Sequence, residues 1–161
     1  MKDSKKAHIA VCVGTHNRPD SLANTLQSLI KLEVPNDTDI SVIVIDNNRV
    51  ETSEQVVLGL KQRSKFNLLY IHEEEIGIVH MRNRALTEAS HIGATHLAFI
   101  DDDEIASTDW IKELYDALIL YEAQVVQGTT ERVLPEGTPN WLVKSNILQL
   151  KRHSTGQIRT S

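Results

Sequence analysis

The chain has 161 residues, of which 40% are hydrophobic and 24% are charged, and its formal net charge is -5. This composition is typical of one globular domain with enough apolar material for a sizeable core. The acidic balance and the scattered lysines and arginines argue against a nucleic-acid partner, because binding to a phosphate backbone requires clustered positive charge.

The N-terminus and the single cysteine indicate a cellular compartment. Residues 1–6 are polar, and no apolar run approaches the roughly 18 residues of a membrane span. Cys12 is the only cysteine, and its place in an apolar run is typical of a small buried hydrophobe and not of a nucleophile. These features predict a cytoplasmic protein.

The first part of the chain predicts two strand-loop-helix units. Residues 8–13 are nearly all apolar, as in a strand buried on both faces, and a short turn leads to Pro19, which suits the first turn of a helix. The apolar residues that follow at helical spacing are Leu22, Leu26, Leu29 and Ile30. Residues 40–45 predict a second buried strand, and a second helix is expected from about residue 52.

The same alternation continues to residue 128. Strands are predicted over residues 67–71, 97–100 and 124–128, with a helix over residues 110–121 before the last of them. The helix between the first two of these strands carries Val79, Ala85, Leu86 and Ala89. This order predicts an α/β fold, with a mostly parallel, Rossmann-like sheet, right-handed crossovers and helices on both faces.

From residue 129 the hydrophobic pattern changes. Residues 135–140 are rich in proline, glycine and asparagine, which is typical of turns, and residues 151–161 are polar without a hydrophobic period. We therefore predict that the fold is truncated at its C-terminus.

A run of four acids, Asp101 to Glu104, follows the apolar residues of the fourth strand. Such a cluster repels itself unless a positive group compensates the charge. One compensator is the N-terminus of the next helix, for which Ser107 and Thr108 are suitable caps. The other is Mg²⁺ or Mn²⁺ with a phosphate-bearing ligand. Taken alone, the acid run favours compensation by the helix N-terminus. The polar residues at the ends of the other strands favour compensation by the cation.

Polar residues also end the first two strands. Residues 14–18 follow the first strand and residues 46–48 follow the second. In parallel sheets functional residues collect at the carboxyl ends of the strands, where a carboxylate can recognise a base or ribose and small residues let backbone amides approach a phosphate. Taken alone, Asp46 would cap a turn, and Arg18 is expected to be a solvated residue at the start of a helix.

Four segments, residues 13–19, 44–47, 77–83 and 99–103, resemble the ordered signature blocks of the family 2 glycosyltransferases with the GT-A fold. The resemblance covers residues 9–128. It implies a nucleotide-sugar donor, usually a UDP-sugar, and a divalent metal, Mn²⁺ or Mg²⁺. It also implies inverting transfer to a hydroxyl of a glycan or lipid-linked acceptor in polysaccharide synthesis, with the possibility of peripheral association at the inner face of the membrane.

The resemblance assigns the acid run to the metal and the donor. It implies that Asp103 is the main metal ligand and that Asp101 faces the ribose or a metal-bound water and contributes to the metal site. Asp102 is expected to contact the nucleotide-sugar. Arg82 and Asn83 are expected to contact phosphate or ribose oxygens.

The resemblance assigns the base and ribose to the other strand ends. Asp46 matches the acid that reads the base, and Gly14, Thr15 and His16 match the loop that covers the base and ribose. His16 occupies a position where the family often has tyrosine. The chain therefore departs from the family's pattern at the residue expected to stack on the base.

The acceptor side is less complete. We divide the chain into a donor-binding domain, residues 1–128, and an incomplete acceptor-side region, residues 129–161. The family's general base is an acid of the C-terminal half, but neither Glu131 nor Glu136 is assigned this role. Two alternatives remain open: a non-catalytic nucleotide-binding fragment, and a nucleotidyltransferase, which would require a more glycine-rich and basic loop after the first strand than one containing Gly14 alone.

Overall fold

The computed structural model describes residues 6–51, 53–134, 136–145 and 156–157. Within them the order of elements is β1 (Ala7–Thr15), α1 (Pro19–Leu29), β2 (Thr38–Asp46), α2 (Glu54–Lys61), β3 (Asn67–His72), α3 (Ile78–His91), β4 (His96–Asp101), α4 (Trp110–Leu120) and α5 (Asn140–Val143). The chain divides into two compact units, Met1–Glu113 and Leu114–Ser161. All four strands belong to the first unit.

The four strands form one parallel sheet with the order β3-β2-β1-β4. β1 lies between β2 and β4, with Thr15 beside Asp46 on one side and Gly14 beside Asp101 on the other. The sheet therefore brings the carboxyl ends of the three strands that carry the predicted site residues next to one another.

Both faces of the sheet are buried. On one face Ala10, Cys12, Ile43 and Ile45 form a cluster with the alanines of α3. Side chains alternate along a strand, so the next residues point to the opposite face, and these are buried as well: Val11, Val13, Val42 and Val44. α1 contacts α2, and α2 contacts β3. The predicted parallel α/β sheet with helices on both faces is confirmed.

The local signals for helix starts were informative. α1 begins at Pro19, as the sequence predicts, and proline occupies its first turn. α4 covers nearly the range that was predicted, and α2 begins at Glu54, directly after the described residue Ser53. Residue 52, where the second helix was expected to begin, lies outside the described residues.

Cys12 is completely buried in the centre of β1. Burial raises the pKa of its thiol from 9.0 to about 12, because the thiolate would lose its hydration inside the core. The interpretation of Cys12 as a small core hydrophobe is therefore confirmed.

The predicted fifth strand is wrong. Residues 124–128 adopt no strand, and Val125 is 84% exposed. An apolar run shows that residues tolerate a strand, but a strand forms only when its backbone pairs with another strand, and residues 124–128 make no such pairing within the described part of the chain. Among the described residues β4 is therefore an edge strand, and its Phe99 is 40% exposed.

The apolar face predicted for α3 is only half right. Ala85 and Ala89 are buried, but Val79 and Leu86 are exposed. The small residues face the sheet and let the helix axis approach it closely, whereas the larger ones point outward.

The second unit contains most of α4 together with α5. Residue 135 of the predicted turn-rich segment and most of the polar segment 151–161 lie outside the described residues. The predicted division of the chain at residue 128, into a donor-binding domain and an acceptor-side region, stays a prediction. Within the described part of the chain, no helix is long and apolar enough to cross a membrane.

Candidate functional site

The acid run begins at the last residue of β4 and continues into a turn. Asp101 and Asp103 are exposed, whereas Asp102 between them is only 6% exposed. Thr15 at the end of β1 donates a hydrogen bond from Oγ1 to Asp102 Oδ2 at 2.7 Å. Thr25 of α1 donates from Oγ1 to the backbone carbonyl of Asp102 at 2.9 Å. The middle acid is thus held by the protein, and the outer two face solvent.

The loop that follows the acid run is fastened along α1. The backbone N–H of Ala106 donates to Ser28 Oγ at 3.1 Å, and the backbone N–H of Glu33 donates to the carbonyl of Thr108 at 2.7 Å. Together with the Thr25 bond, these contacts fix the backbone on which the exposed acids sit.

Arg18 is a positive side chain that pairs with two acids of the run. Its Nη1 lies 3.1 Å from Asp103 Oδ2 and 3.4 Å from Asp102 Oδ1. The sequence interpretation of Arg18 as a solvated residue is incomplete: the side chain is 58% exposed, but it pairs with two acids. The missing information was that β4 lies beside β1, which brings the loop after β1, with Arg18, to the turn after β4.

The exposed carboxylates fit an open cation site. Among the described residues no three His, Cys, Asp or Glu side chains converge as a closed metal cage. Mg²⁺ is commonly held by one or two carboxylates, with waters and substrate phosphates completing its shell. Asp101 and Asp103 supply such a pair of hard oxygen ligands, so they suit a cation that is completed by a phosphate ligand.

Asp46, at the end of β2, is fully buried and hydrogen-bonded within the protein. Its Oδ1 accepts from Asn48 Nδ2 at 2.7 Å, and its Oδ2 accepts from the Ser53 N–H and the Tyr70 hydroxyl, both at 2.9 Å. Burial, together with the hydrogen bond to Asp46, raises the pKa of Tyr70. These contacts match the turn-capping interpretation of Asp46, and its role in reading a base stays a prediction.

Asn47 is a junction that the sequence did not single out. Its backbone N–H donates to the Thr15 carbonyl at 2.9 Å. Its side-chain Nδ2 donates to the carbonyls of Glu73 and Glu75 at 3.1 and 2.7 Å, and its Oδ1 accepts from the N–H of Gly77 at 2.8 Å. Through its backbone N–H and its side-chain amide, Asn47 therefore connects the end of β1 to the loop that precedes α3. The sequence signal was an asparagine directly after a strand, but its partners are distant in the chain.

Two glycines allow α3 to approach the site. A side chain at Gly14 would place its Cβ 2.5 Å from Cε and Sδ of Met81 on α3. Gly77, directly before α3, has a φ of +140° that favours glycine. The absence of a side chain at Gly14 therefore leaves room for Met81 of α3, and Gly77 allows the turn from which α3 begins.

His16 is exposed at the same edge and is oriented by Asn47. Its Nδ1 lies 2.6 Å from the Asn47 carbonyl. Because a carbonyl only accepts hydrogen bonds, Nδ1 must carry the proton, and in the neutral ring Nε2 is left as an acceptor.

Arg82 and Asn83 are exposed on the N-terminal part of α3. The guanidinium of Arg82 lies 5.6 Å from the centroid of the Phe99 ring, on the same strand as Asp101. This contact places Arg82 over β4 near the acid run. Of the predicted site residues, Thr15, Asp46 and Asp102 are buried, and His16, Arg82, Asn83, Asp101 and Asp103 are exposed.

The fold and this edge define a class of protein. Parallel α/β domains bind nucleotides outside the carboxyl ends of their strands, where loops, hydroxyls and acids meet. The described edge carries these features, and it adds an acid pair that suits a cation next to phosphates.

Comparison with known sequences identifies the family. The pattern of Glycosyl transferase family 2 matches residues 10–160, so the chain belongs to this family and the resemblance read from its motifs is confirmed. The chain is 33% identical over 159 residues to the succinoglycan biosynthesis protein ExoM of Rhizobium meliloti (strain 1021), with 95% of this chain and 48% of that protein covered. It is 25% identical over 120 residues to the glycosyltransferase GlyA of Streptococcus pneumoniae serotype 4, with 74% and 16% covered. The chain thus spans about half or less of these relatives.

Solved structures show the same fold. TarS of S. aureus superposes with a TM-score of 0.61 at 23% identity, covering 80% of this chain and 23% of TarS. The complex of TarS 1–349 with UDP also superposes with a TM-score of 0.61, at 23% identity and with 38% of that chain covered. The complex of TarS 1–349 with UDP-GlcNAc has a TM-score of 0.57, at 23% identity and with 37% of that chain covered. The predicted GT-A-type fold is therefore confirmed.

Proposed function

We propose that the chain binds the nucleotide-sugar donor of an inverting, metal-dependent glycosyltransferase, with a UDP-sugar favoured. Membership of Glycosyl transferase family 2 supports sugar transfer. The name of ExoM supports polysaccharide biosynthesis as the setting, and the TarS complexes with UDP and UDP-GlcNAc support a UDP-sugar donor. A glycan or lipid-linked acceptor fits this setting, and a lipid-linked one would bring the protein to the inner face of the membrane as a peripheral component.

The observation that carries this proposal is the 2.7 Å bond from Thr15 to Asp102. It joins the loop proposed to cover the nucleoside to the acid run proposed to carry the cation. Gly14, Thr15 and His16 would contact base and ribose, and Asp101 and Asp103 would hold Mn²⁺ or Mg²⁺.

Electrostatics explain why the donor would need a cation. The exposed carboxylates of Asp101 and Asp103 would repel a diphosphate placed beside them, since all three groups are negative. When bound, a divalent cation supplies the positive charge that stabilises the departing nucleoside diphosphate. Arg82, which lies over β4, would add a guanidinium that is suited to phosphate oxygens.

Sugar transfer also needs a base for the acceptor hydroxyl. We assign no such base in this chain, and donor binding is the step that its own residues account for. A non-catalytic nucleotide-binding fragment remains the second candidate, because the chain covers 48% of ExoM. A longer protein that includes this chain would turn over a nucleotide-sugar under the first proposal and would only bind it under the second.

Calorimetric titration of UDP, GDP, CDP and dTDP, with and without Mn²⁺, tests donor binding. We expect UDP to bind in the presence of Mn²⁺ and Asp103→Asn to lose this binding. Asp37→Asn is the matched control, because Asp37 is an exposed acid that precedes β2 at the opposite edge, and asparagine tolerates its φ of +53°.

Two results would contradict the proposal. One is the absence of binding for all four nucleotides in the folded protein. The other is nucleotide binding that neither Mn²⁺ nor the Asp103→Asn substitution changes, which would remove the acid run from the site.

A further inference from the structure

Arg18 connects an immobile acid to an exposed one. Asp102 is buried and held by Thr15 and Thr25, so its contact with Arg18 rests on a fixed carboxylate. The contact with Asp103 joins two side chains that are each 58% exposed. The contact between Arg18 and Asp103 can therefore be broken without disturbing the core.

We propose that Arg18 is a built-in counter-ion that competes with the divalent cation for Asp103 and so lowers the affinity of the empty site for metal. This inference rests on the proposed cation site and adds a residue that controls it. In the absence of metal, Arg18 offsets part of the negative charge of the acid run through its contacts with Asp102 and Asp103. When metal binds, the guanidinium gives up Asp103 and keeps Asp102.

The competition follows from charge and distance. The Arg18 Nη1 lies 3.1 Å from Asp103 Oδ2, so a cation on the same carboxylate would lie within several ångströms of the guanidinium. A charge of +2 and a charge of +1 separated by roughly 6 Å in water repel each other enough to change a binding constant about tenfold. The effect is largest at low ionic strength, since salt screens exposed charges.

The position of Arg18 allows it to move. It directly precedes α1, with a φ of -132° and a ψ of 57°, and its own backbone is outside the helix. Arg18 pairs with Asp102 and Asp103 and not with Asp101, the other exposed acid of the pair, so the cation has one ligand that the guanidinium does not occupy. Both contacts of Arg18 are made by its side chain, so the guanidinium can leave Asp103 without a change in the backbone.

Mn²⁺ binding to the chain without nucleotide tests the inference. Electron paramagnetic resonance measures the free ion directly during titration of the wild type and of Arg18→Gln at low ionic strength. We expect Arg18→Gln to bind Mn²⁺ about tenfold more tightly, and added salt to reduce the difference.

Two further variants make the comparison specific. Arg63→Gln removes the same charge from an exposed residue that follows α2, at the opposite edge of the sheet, and should leave Mn²⁺ affinity unchanged. Arg18→Met also removes the charge but keeps the aliphatic stem, and it replaces Arg18→Gln if circular dichroism shows that the glutamine disturbs the fold.

Equal or weaker Mn²⁺ binding by the folded Arg18 variants overturns the inference, as does a failure of Mn²⁺ to bind either the variants or the wild type. Failure of the proposed donor function is a different result. In that case no nucleotide binds, but Arg18→Gln still raises the affinity for Mn²⁺, and the counter-ion role stands.

Discussion

The bond between Thr15 and Asp102 makes a quantitative prediction about stability. Thr15 and Asp102 are both buried, and the hydroxyl donates to a carboxylate at 2.7 Å. Thr15→Val keeps the shape of the side chain but leaves a buried carboxylate oxygen without this donor. Hydrogen bonds to charged groups contribute about 1.5–3 kcal/mol, so we expect a loss of about 2 kcal/mol in the free energy of unfolding.

Urea unfolding followed by circular dichroism measures this loss. For a chain of this size, a loss of about 2 kcal/mol corresponds to a fall of roughly 4–8 °C in Tm. Thr87→Val is the matched control, because Thr87 is exposed on α3 and its hydroxyl donates only to the Asn83 carbonyl one turn earlier. A surface change of this kind should alter stability by less than about 0.5 kcal/mol.

A loss of stability in Thr15→Val that is no greater than in the Thr87→Val control would refute this prediction. Asp102 would then not depend on Thr15 for its position, and the physical link between the loop after β1 and the acid run would be lost. A loss of stability together with weaker Mn²⁺-dependent UDP binding would instead support both the fold argument and the proposed site.

Two other predictions concern the residues around the site. The pKa of Tyr70 is raised above 10.0 by burial and by its bond to Asp46, so the folded protein keeps a proton that the unfolded chain releases, and the free energy of unfolding should fall as pH rises above about 10. Tyr70→Phe should make this fall shallower, and it should lower the free energy of unfolding by about 1 kcal/mol at pH 7. Urea unfolding at several pH values measures both effects. An identical dependence of the free energy of unfolding on pH in the two proteins would refute the assignment of this fall to Tyr70. Gly14→Ala should destabilise the protein by about 1–2 kcal/mol through its collision with Met81. A double-mutant cycle with Met81→Ala should show a smaller cost for Gly14→Ala, and strict additivity would show that the two side chains do not meet.

The sequence predicted most elements of the first unit because their apolar periods are strong. Residues 8–13 and 40–45 are nearly all apolar, and both segments lie in central strands that are buried on two faces. Pro19 marked the start of α1 by its own geometry. These signals are local, so they survive without knowledge of the rest of the fold.

The errors arose where the outcome depends on distant partners. Residues 124–128 have strand-like composition but adopt no strand. Val79 and Leu86 have helical spacing, yet the closely packed face of α3 is made by Ala85 and Ala89. In both cases tertiary packing decided the outcome: whether the segment forms a strand, and which side of the helix is buried. The sequence pattern alone does not distinguish these alternatives.

The same limit applies to the site. The sequence placed polar residues at the ends of three strands, and the sheet order joins those ends. The order itself cannot be read from the motifs, so Arg18 was not recognised as the partner of the acids. The buried contacts of Asp46 were also hidden, because Tyr70 lies on a different strand.

The acid run serves two purposes within one short segment. Asp101 ends β4, and Asp102 and Asp103 lie in the turn that follows. In this turn the carboxylate of Asp102 accepts a hydrogen bond from Thr15 and is buried, whereas Asp101 and Asp103 are exposed. A third acid between two exposed ones would normally add repulsion, but here it anchors Arg18, which offsets the charge of the pair. Asp102 therefore supports the exposed acids through its contacts with Thr15, Thr25 and Arg18, and its contact with a nucleotide-sugar stays a prediction.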